Sequence, residues 1–112
     1  ALSYDNKLIA TGSFDNQIKI WSFNDDFNFY NELEGHQDTI TSLLFSYDNK
    51  FLYSASSDKT IKVWNLQDFK EIKTMVSHTD EINSISLSPD GFVLASSSTD
   101  KTIKLWDLTS FK

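Results

Sequence analysis

Histidine, serine and aspartate occur along the chain as the set His36, Ser54 and Asp58. In hydrolases these side chains form a catalytic triad, in which the serine attacks a carbonyl carbon, the histidine takes the serine proton and the aspartate orients the histidine. Similar sets recur elsewhere in the chain: His78, Ser96 and Asp100, and in part Thr11 and Asp15. Because an enzyme needs its catalyst once, a set that recurs in every segment favours a structural role.

The two histidines raise a second possibility, a shared metal site. Ligand bonds to a zinc ion are about 2 Å long, so the ligands of one ion must lie close together. His36 and His78 occupy equivalent positions of successive repeats, and we expect a whole repeat to separate them. The sequence also contains no glycine-rich phosphate loop. We therefore expect neither a metal nor a cofactor.

Lysines form another recurrent set, Lys19, Lys62 and Lys104, which could follow a phosphate backbone. The chain contains no arginine, however, and its 16 acidic residues outnumber the 10 basic ones, for a net charge of −6. This balance disfavours nucleic-acid binding. We expect the lysine stems to cover apolar surface while the amines remain in water.

Tryptophan gives the period of the chain. Trp21, Trp64 and Trp106 follow one another at steps of 43 and 42 residues. An aspartate lies six residues before each of them, and a histidine lies 28 residues before the second and the third. A period of about 40–45 residues indicates an array of repeated structural units.

Each unit reads as a series of short strands joined by turns. In the middle unit we predict strands at residues 40–46, 51–56, 60–66 and 71–76, which are rich in β-branched and aromatic residues. The connections are too short for crossover helices, so the strands must pair antiparallel. In the third unit, Ser88-Pro89-Asp90-Gly91 has the composition of a tight turn. Four strands at this period are typical of one blade of a β-propeller.

The repeated segments resemble those of the WD-repeat family. The resemblance rests on Gly35-His36, on the Asp-Lys-Thr-Ile-Lys runs that precede Trp64 and Trp106, and on the pair Trp106-Asp107. It implies an all-β chain, a β-propeller segment of about two and a half four-stranded antiparallel blades, with units near residues 1–39, 40–81 and 82–112. The chain departs from the family pattern at Ser22, Asn65 and Ser77.

The resemblance also implies roles for individual residues. In the family, the turn aspartate, the histidine, a strand serine or threonine and the tryptophan form a structural tetrad. The corresponding residues are His36, Ser54, Asp58 and Trp64; His78, Ser96, Asp100 and Trp106; and, in part, Thr11, Asp15 and Trp21. The family often binds partners on the face beside these turns, where this chain has Phe14, Thr39, Thr41, Ser57, Glu81, Asn83 and Thr99.

Propellers contain four to eight blades, so we expect the ring to be incomplete at both ends of this chain. Further blades would come from the same longer polypeptide or from other copies.

These observations favour a non-catalytic scaffold that binds other proteins or peptides. A nucleic-acid-associated propeller subunit and a propeller attached to an enzyme are the alternatives. The absence of cysteine and of long apolar runs indicates an intracellular protein, cytoplasmic or nuclear, without a membrane partner. Residues 24–34 are acidic and aromatic, which suits an outer strand or a patch for a basic partner.

Overall fold

The computed structural model describes residues 1–5, 7–22, 28–76 and 78–110, with side chains omitted at 28–30 and 110. The described residues are all-β, with ten strands in three antiparallel sheets and no α-helix, so none of them forms a helix that could cross a membrane. Ser77 and residues 24–27 of the acidic stretch lie outside the described residues.

The three sheets follow one another along the chain, and we call them blades 1, 2 and 3. Blade 1 contains β1 (Leu8–Gly12), β2 (Ile18–Ser22) and β3 (Asn28–Leu33). Blade 2 contains β4 (Ile40–Phe45), β5 (Phe51–Ser56), β6 (Thr60–Asn65) and β7 (Lys70–Val76). Blade 3 contains β8 (Ile82–Leu87), β9 (Val93–Ser98) and β10 (Ile103–Asp107), and a 3₁₀ turn follows at Leu108–Ser110.

The strands predicted for the middle unit differ from those of blade 2 by at most one residue at either end. Within the described residues only blade 2 has all four strands, while blades 1 and 3 have three each. At the position of a first strand in blade 1, Leu2 makes a single bridge to Ile9. The fold is therefore all-β, with three antiparallel sheets that correspond to complete or partial propeller blades.

Left-handed backbone shapes the turn after each recurrent aspartate. Asn16, Lys59 and Lys101 directly follow those aspartates and have φ angles of 71°, 77° and 71°. Residues other than glycine, asparagine and aspartate rarely adopt this region of backbone conformation. Gly91 has a φ of 79° and ends the Ser88–Gly91 turn, in agreement with the turn predicted there.

Bulges occur at corresponding positions of the sheets. In β4 and β8 the register shifts across Thr41 and Asn83, so each of these residues is the extra one of a bulge. A second pair of shifts lies beside Trp21 and Trp64, where the outer strand is one residue longer than its partner. A bulge bends the strand and changes the direction of a side chain. Both bulges adjoin positions that the sequence singled out.

Two apolar layers hold the blades together in chain order. Ile18 and Ile20 of blade 1 pack in one cluster with Phe45, Leu52 and Trp64 of blade 2. A second cluster joins the opposite face of blade 2 to blade 3, with the members Tyr53, Ala55, Ile61, Val63, Met75, Ile82, Ile85 and Leu94. Blade 2 thus buries one face against blade 1 and the other against blade 3.

The far face of blade 3 has no covering blade within the described residues. Ile61 and Val63 of blade 2 are 0% and 1% exposed, because blade 3 covers them. The residues at the same positions of blade 3, Ile103 and Leu105, are 74% and 72% exposed. The repeat therefore leaves an apolar strand face of blade 3 open to solvent.

Candidate functional site

A chain of hydrogen bonds in blade 2 joins the first triad-like set. The Nδ1 atom of His36 lies 2.8 Å from Oδ2 of Asp58, and Nε2 lies 2.7 Å from Oγ of Ser54. The indole Nε1 of Trp64 donates to the same Ser54 oxygen at 2.8 Å. The order aspartate, histidine, serine is the order of a catalytic triad, and the tryptophan is an additional member.

The donors and acceptors of this chain fit one arrangement. Trp64 has only a donor, so the Ser54 oxygen must accept from it. The Ser54 hydroxyl can then donate to Nε2 of His36, while Nδ1–H donates to Asp58. Neutral histidine provides this one donor and one acceptor. Every buried side-chain polar atom in the described residues has a partner, which is the condition for a stable buried network.

The Asp58 carboxylate accepts four hydrogen bonds. Oδ2 accepts from His36 Nδ1 and from the Gln37 backbone N–H, and Oδ1 accepts from the backbone N–H and the hydroxyl of Thr60. Burial alone would raise the pKa of Asp58, but the bonds from His36, Thr60 and Gln37 outweigh it and hold that pKa far below its usual range. The carboxylate therefore ties the loop before β4 to the turn before β6.

Blade 3 repeats the network with nearly the same geometry. His78 lies 2.8 Å from Asp100 and 2.7 Å from Ser96, and Trp106 donates to Ser96 at 2.9 Å. The hydroxyl of Thr102 is the main cause of the lowered pKa of Asp100, with His78 adding to it.

Blade 1 has only part of the network. Trp21 donates to the Thr11 hydroxyl at 3.1 Å, as in the other blades. Asp15 accepts from the backbone N–H of Gln17 in its own turn, as Asp58 accepts from that of Thr60. Its place in a tetrad stays a prediction, because no histidine lies in the described part of blade 1 to connect it to Thr11. The Thr11–Trp21 face also has no preceding blade to cover it within the described residues.

Burial separates these networks from a hydrolytic site. Ser54 and Ser96 are 0% and 1% exposed. A nucleophilic serine must reach a substrate carbonyl, whereas these hydroxyls are enclosed between adjacent blades. The arrangement can orient strands and satisfy buried polar groups, and it presents no reacting atom to solvent.

Two serines that the sequence interpretation missed, the buried Ser56 and the half-buried Ser98, fix the loop after each histidine. Ser56 Oγ lies 3.0 Å from the Asp38 carbonyl oxygen and 2.9 Å from that of Thr39, and it accepts from the Asp58 backbone N–H. Ser98 makes the equivalent contacts in blade 3. The signal was present, since a serine stands two residues before each recurrent aspartate.

The residues predicted to bind partners lie around these loops and turns. The backbone N–H of Ser57 donates to Thr39 at 2.9 Å, and that of Thr99 donates to Glu81 at 3.0 Å, so each turn is paired with its neighbouring loop. Thr99 also donates to the Asn83 side chain at 3.3 Å. Phe14, in the corresponding turn of blade 1, is 88% exposed. Partner binding at all of these positions stays a prediction.

Thr41 has a contact that the sequence did not suggest. Its hydroxyl donates to the Ile82 carbonyl oxygen of blade 3 at 2.6 Å. Ile82 precedes the bulge of β8, whose own ladder is interrupted there. Thr41 therefore contributes to the junction of blades 2 and 3, whatever else it contacts.

The lysine row differs from its prediction at Lys62. The amine was expected in water, but Nζ lies 2.5 Å from the Glu71 carboxylate and 2.9 Å from the Thr74 hydroxyl, and the Lys62 side chain is largely buried. Burial alone would raise the pKa of Glu71, but the bonds from Lys62 and Thr74 lower it. The positive charge of Lys62 is thus compensated by Glu71 on the neighbouring strand β7. Lys62 is therefore poorly suited to bind a phosphate.

No group of three or more histidine, cysteine, aspartate or glutamate side chains in the described parts of the chain is arranged to hold a metal ion.

Comparison with family models matches the repeats directly. The model described as "WD domain, G-beta repeat" matches residues 1–22, 27–65 and 69–107. The second and third segments each begin with the outer strand of one blade, β3 or β7, and continue through three strands of the next blade. Comparison with curated proteins returns no match. The three matched segments cover most of the chain and contain the recurrent tryptophans and their hydrogen-bond networks. The chain therefore belongs to the WD-repeat family.

Proposed function

We propose that this chain is part of a non-catalytic scaffold on which other proteins or peptides assemble. WD repeats in general serve protein–protein interaction. Rigid blades suit this role because they hold loops in fixed positions, and binding residues concentrate in such loops. The surface proposed for binding is formed by the turns and loops beside the tetrad aspartates.

The observation that carries this proposal is the position of Phe14. The sister turns have Ser57 and Thr99 at this place, whereas blade 1 presents an aromatic ring that is 88% exposed. Because this ring is exposed, it does not stabilise the fold by packing, and it is accessible to a partner. Aromatic side chains dominate the energetics of interfaces.

The proposal is tested by capture of partners from cell extract with the intact protein. We expect Phe14→Ser to reduce capture at least about tenfold, the scale of a hot-spot residue, with an unchanged melting temperature. Ile72→Ser is the matched control, because Ile72 is also an exposed apolar residue but lies on outer strand β7. Undiminished capture by Phe14→Ser, or an equal loss with Ile72→Ser, would refute the proposed surface.

The absence of catalysis is proposed on the burial of Ser54 and Ser96 described above. A nucleic-acid role is disfavoured by the net charge of −6 and by the pairing of Lys62 with Glu71. Turnover of ester or peptide substrates that disappears in Ser54→Ala, with the fold intact, would contradict the proposal.

Two expectations from the sequence are also retained as proposals. A cysteine-free chain supports an intracellular location, cytoplasmic or nuclear, and microscopy of the tagged intact protein would test it. The exposure of Ile103 and Leu105 supports further blades that cover blade 3 and complete a ring, from the same polypeptide or from other copies.

A further inference from the structure

A groove between blades 2 and 3 lies at the ends of the strands opposite to the tetrad turns. The β4–β5 turn forms one side and the β8–β9 turn forms the other, whereas the tetrad aspartates belong to the next turn along each blade. Successive turns of an antiparallel sheet lie at opposite ends of its strands. The groove has a volume of about 510 Å³, and Phe51, Tyr53 and Phe92 contribute aromatic lining.

Tyr47 has a fixed place at the edge of the groove. Its ring meets that of Tyr4 edge to face, with the ring centroids 4.8 Å apart. On the groove side it packs so closely on Gly91 that a Cβ atom there would lie 3.1 Å from Tyr47 Cδ2. The aromatic rim is therefore positioned by packing before any ligand arrives, which lowers the entropic cost of binding.

Tyr53 provides an unused polar group in this groove. The residue is only 4% exposed, and no hydrogen bond involves its hydroxyl within the described residues. Every buried side-chain oxygen or nitrogen in that part of the chain has a partner, so the hydroxyl must reach the surface of the groove that Tyr53 lines. A polar atom on an otherwise buried ring is suited to a ligand that supplies the missing hydrogen bond.

The groove also carries negative charge. Asp48 and Asp90 line it from the two turns. Burial would raise the pKa of Asp48, but Ser46 and the Lys50 backbone and charge lower it overall. The Ser88 hydroxyl and the Phe92 backbone N–H lower the pKa of Asp90. Both carboxylates are therefore ionised at neutral pH. Lys50 partly offsets Asp48, whereas no cation contributes to the lowered pKa of Asp90.

We propose that this groove binds an arginine side chain presented by a partner protein or peptide. Aromatic faces attract a cation and stack on a planar guanidinium. The guanidinium carries five N–H donors in a planar fork. It can donate two of them to the Asp90 carboxylate and a further one to the Tyr53 hydroxyl oxygen. Lysine offers a compact, strongly hydrated charge without that planar shape. The groove is separate from the Phe14 surface, so the two proposals stand or fall independently.

The test is a titration of the intact protein with the acetylated, amidated tripeptide Gly-Arg-Gly, followed by the backbone NMR signals of Gly91 and Phe92. The lysine and citrulline versions of the peptide are titrated in parallel, because citrulline keeps the shape of arginine but is neutral. We expect the arginine peptide to bind most tightly and to shift the signals of both residues.

Two variants examine the groups assigned to recognition. Asp90→Asn retains the turn acceptor but removes the charge, and should weaken binding about fivefold, the scale of a solvent-accessible ion pair. Tyr53→Phe retains the ring and should weaken binding about threefold or more. Asp5→Asn is the control, because Asp5 accepts from Ser3 and Lys7 in the equivalent turn of blade 1 and does not line the groove.

The proposal is supported if both variants weaken arginine binding and Asp5→Asn does not. Equal binding of citrulline would exclude charge recognition, and tighter binding of lysine would exclude the guanidinium. Absence of shifts at Gly91 and Phe92 would exclude the groove.

Discussion

The carboxylate of Asp58 illustrates how one residue can serve both a turn and a buried network. Its four hydrogen bonds come from three separate residues, and each is stronger when the carboxylate is ionised. Loss of this charge would weaken the attachment of the His36 loop and the Thr60 turn together. The stability of blade 2 should therefore depend on pH through this residue.

We expect Asp58→Asn to destabilise the protein at pH 7 by an amount that shrinks as the pH falls. The folded pKa of Asp58 lies below its ordinary value of about 4. The contribution of the ionised group is thus fully present above about pH 4 and is lost as the pH falls toward the folded pKa. Urea unfolding of both proteins at pH 7 and at pH 3 measures the difference.

Asp68→Asn is the control for this prediction, since Asp68 lies in an exposed turn where it accepts from the Lys70 backbone N–H. A destabilisation by Asp58→Asn that stays the same at both pH values would contradict the prediction.

At this scale the sequence predicted well where a residue recurs with a distinctive type. His36, Ser54 and Trp64 are rare or polar enough in a β-rich chain to mark a network. Ser56 was missed because serine is common in turns and nothing in its type distinguishes a buried serine from an exposed one. The role of Asp15 stays a prediction, because its position and its turn contact recur but no histidine lies in the described part of blade 1 to complete the set.

Among the elements, strands β1 and β4 approach each other closely at the junction of blades 1 and 2. A Cβ atom built on Gly12 would lie 2.5 Å from Cγ2 and 2.7 Å from Cβ of Ile40. Blade 2 has the fully buried Ala55 at the equivalent place, so the repeat itself does not require glycine. The close approach is a property of the junction between blades 1 and 2.

We therefore expect Gly12→Ala to lower the free energy of unfolding by about 1–3 kcal/mol, the usual cost of overpacking a core. Urea denaturation measures the loss. In the Ile40→Gly background, where both Cβ and Cγ2 of residue 40 are absent, the same substitution should cost clearly less. An equal cost in both backgrounds, or no cost in either, would show that the blades separate without strain.

Strands and their order could be predicted from the sequence because apolar residues alternate and the connections are short. The bulges at Thr41 and Asn83 could not, because a one-residue register shift leaves composition and spacing unchanged. The left-handed backbone of Lys59 and Lys101 was equally hidden, since lysine gives no signal for that conformation.

For the whole molecule, the open face of blade 3 determines how the chain behaves by itself. Repeat units bury their faces only against neighbours, and Ile103 and Leu105 have none in the described structure. We expect the isolated 112-residue chain to associate in analytical ultracentrifugation. Replacing both residues by lysine should shift the sedimentation coefficient toward that of a monomer, since charge discourages association of exposed strands.

Ile72→Lys serves as the control for that shift, because Ile72 is an exposed apolar residue on β7. A wild-type chain that sediments as a monomer and melts cooperatively would contradict the prediction.

The central claim is that the residues resembling a catalytic triad form a structural network, one for each complete set. A double-mutant cycle measures this most directly. We expect His36→Ala and Asp58→Ala each to lower the free energy of unfolding by about 1–3 kcal/mol, and the double variant to lose clearly less than their sum. His36→Ala combined with Asp100→Ala, from different blades, should be additive. Additive losses within blade 2 would contradict the network.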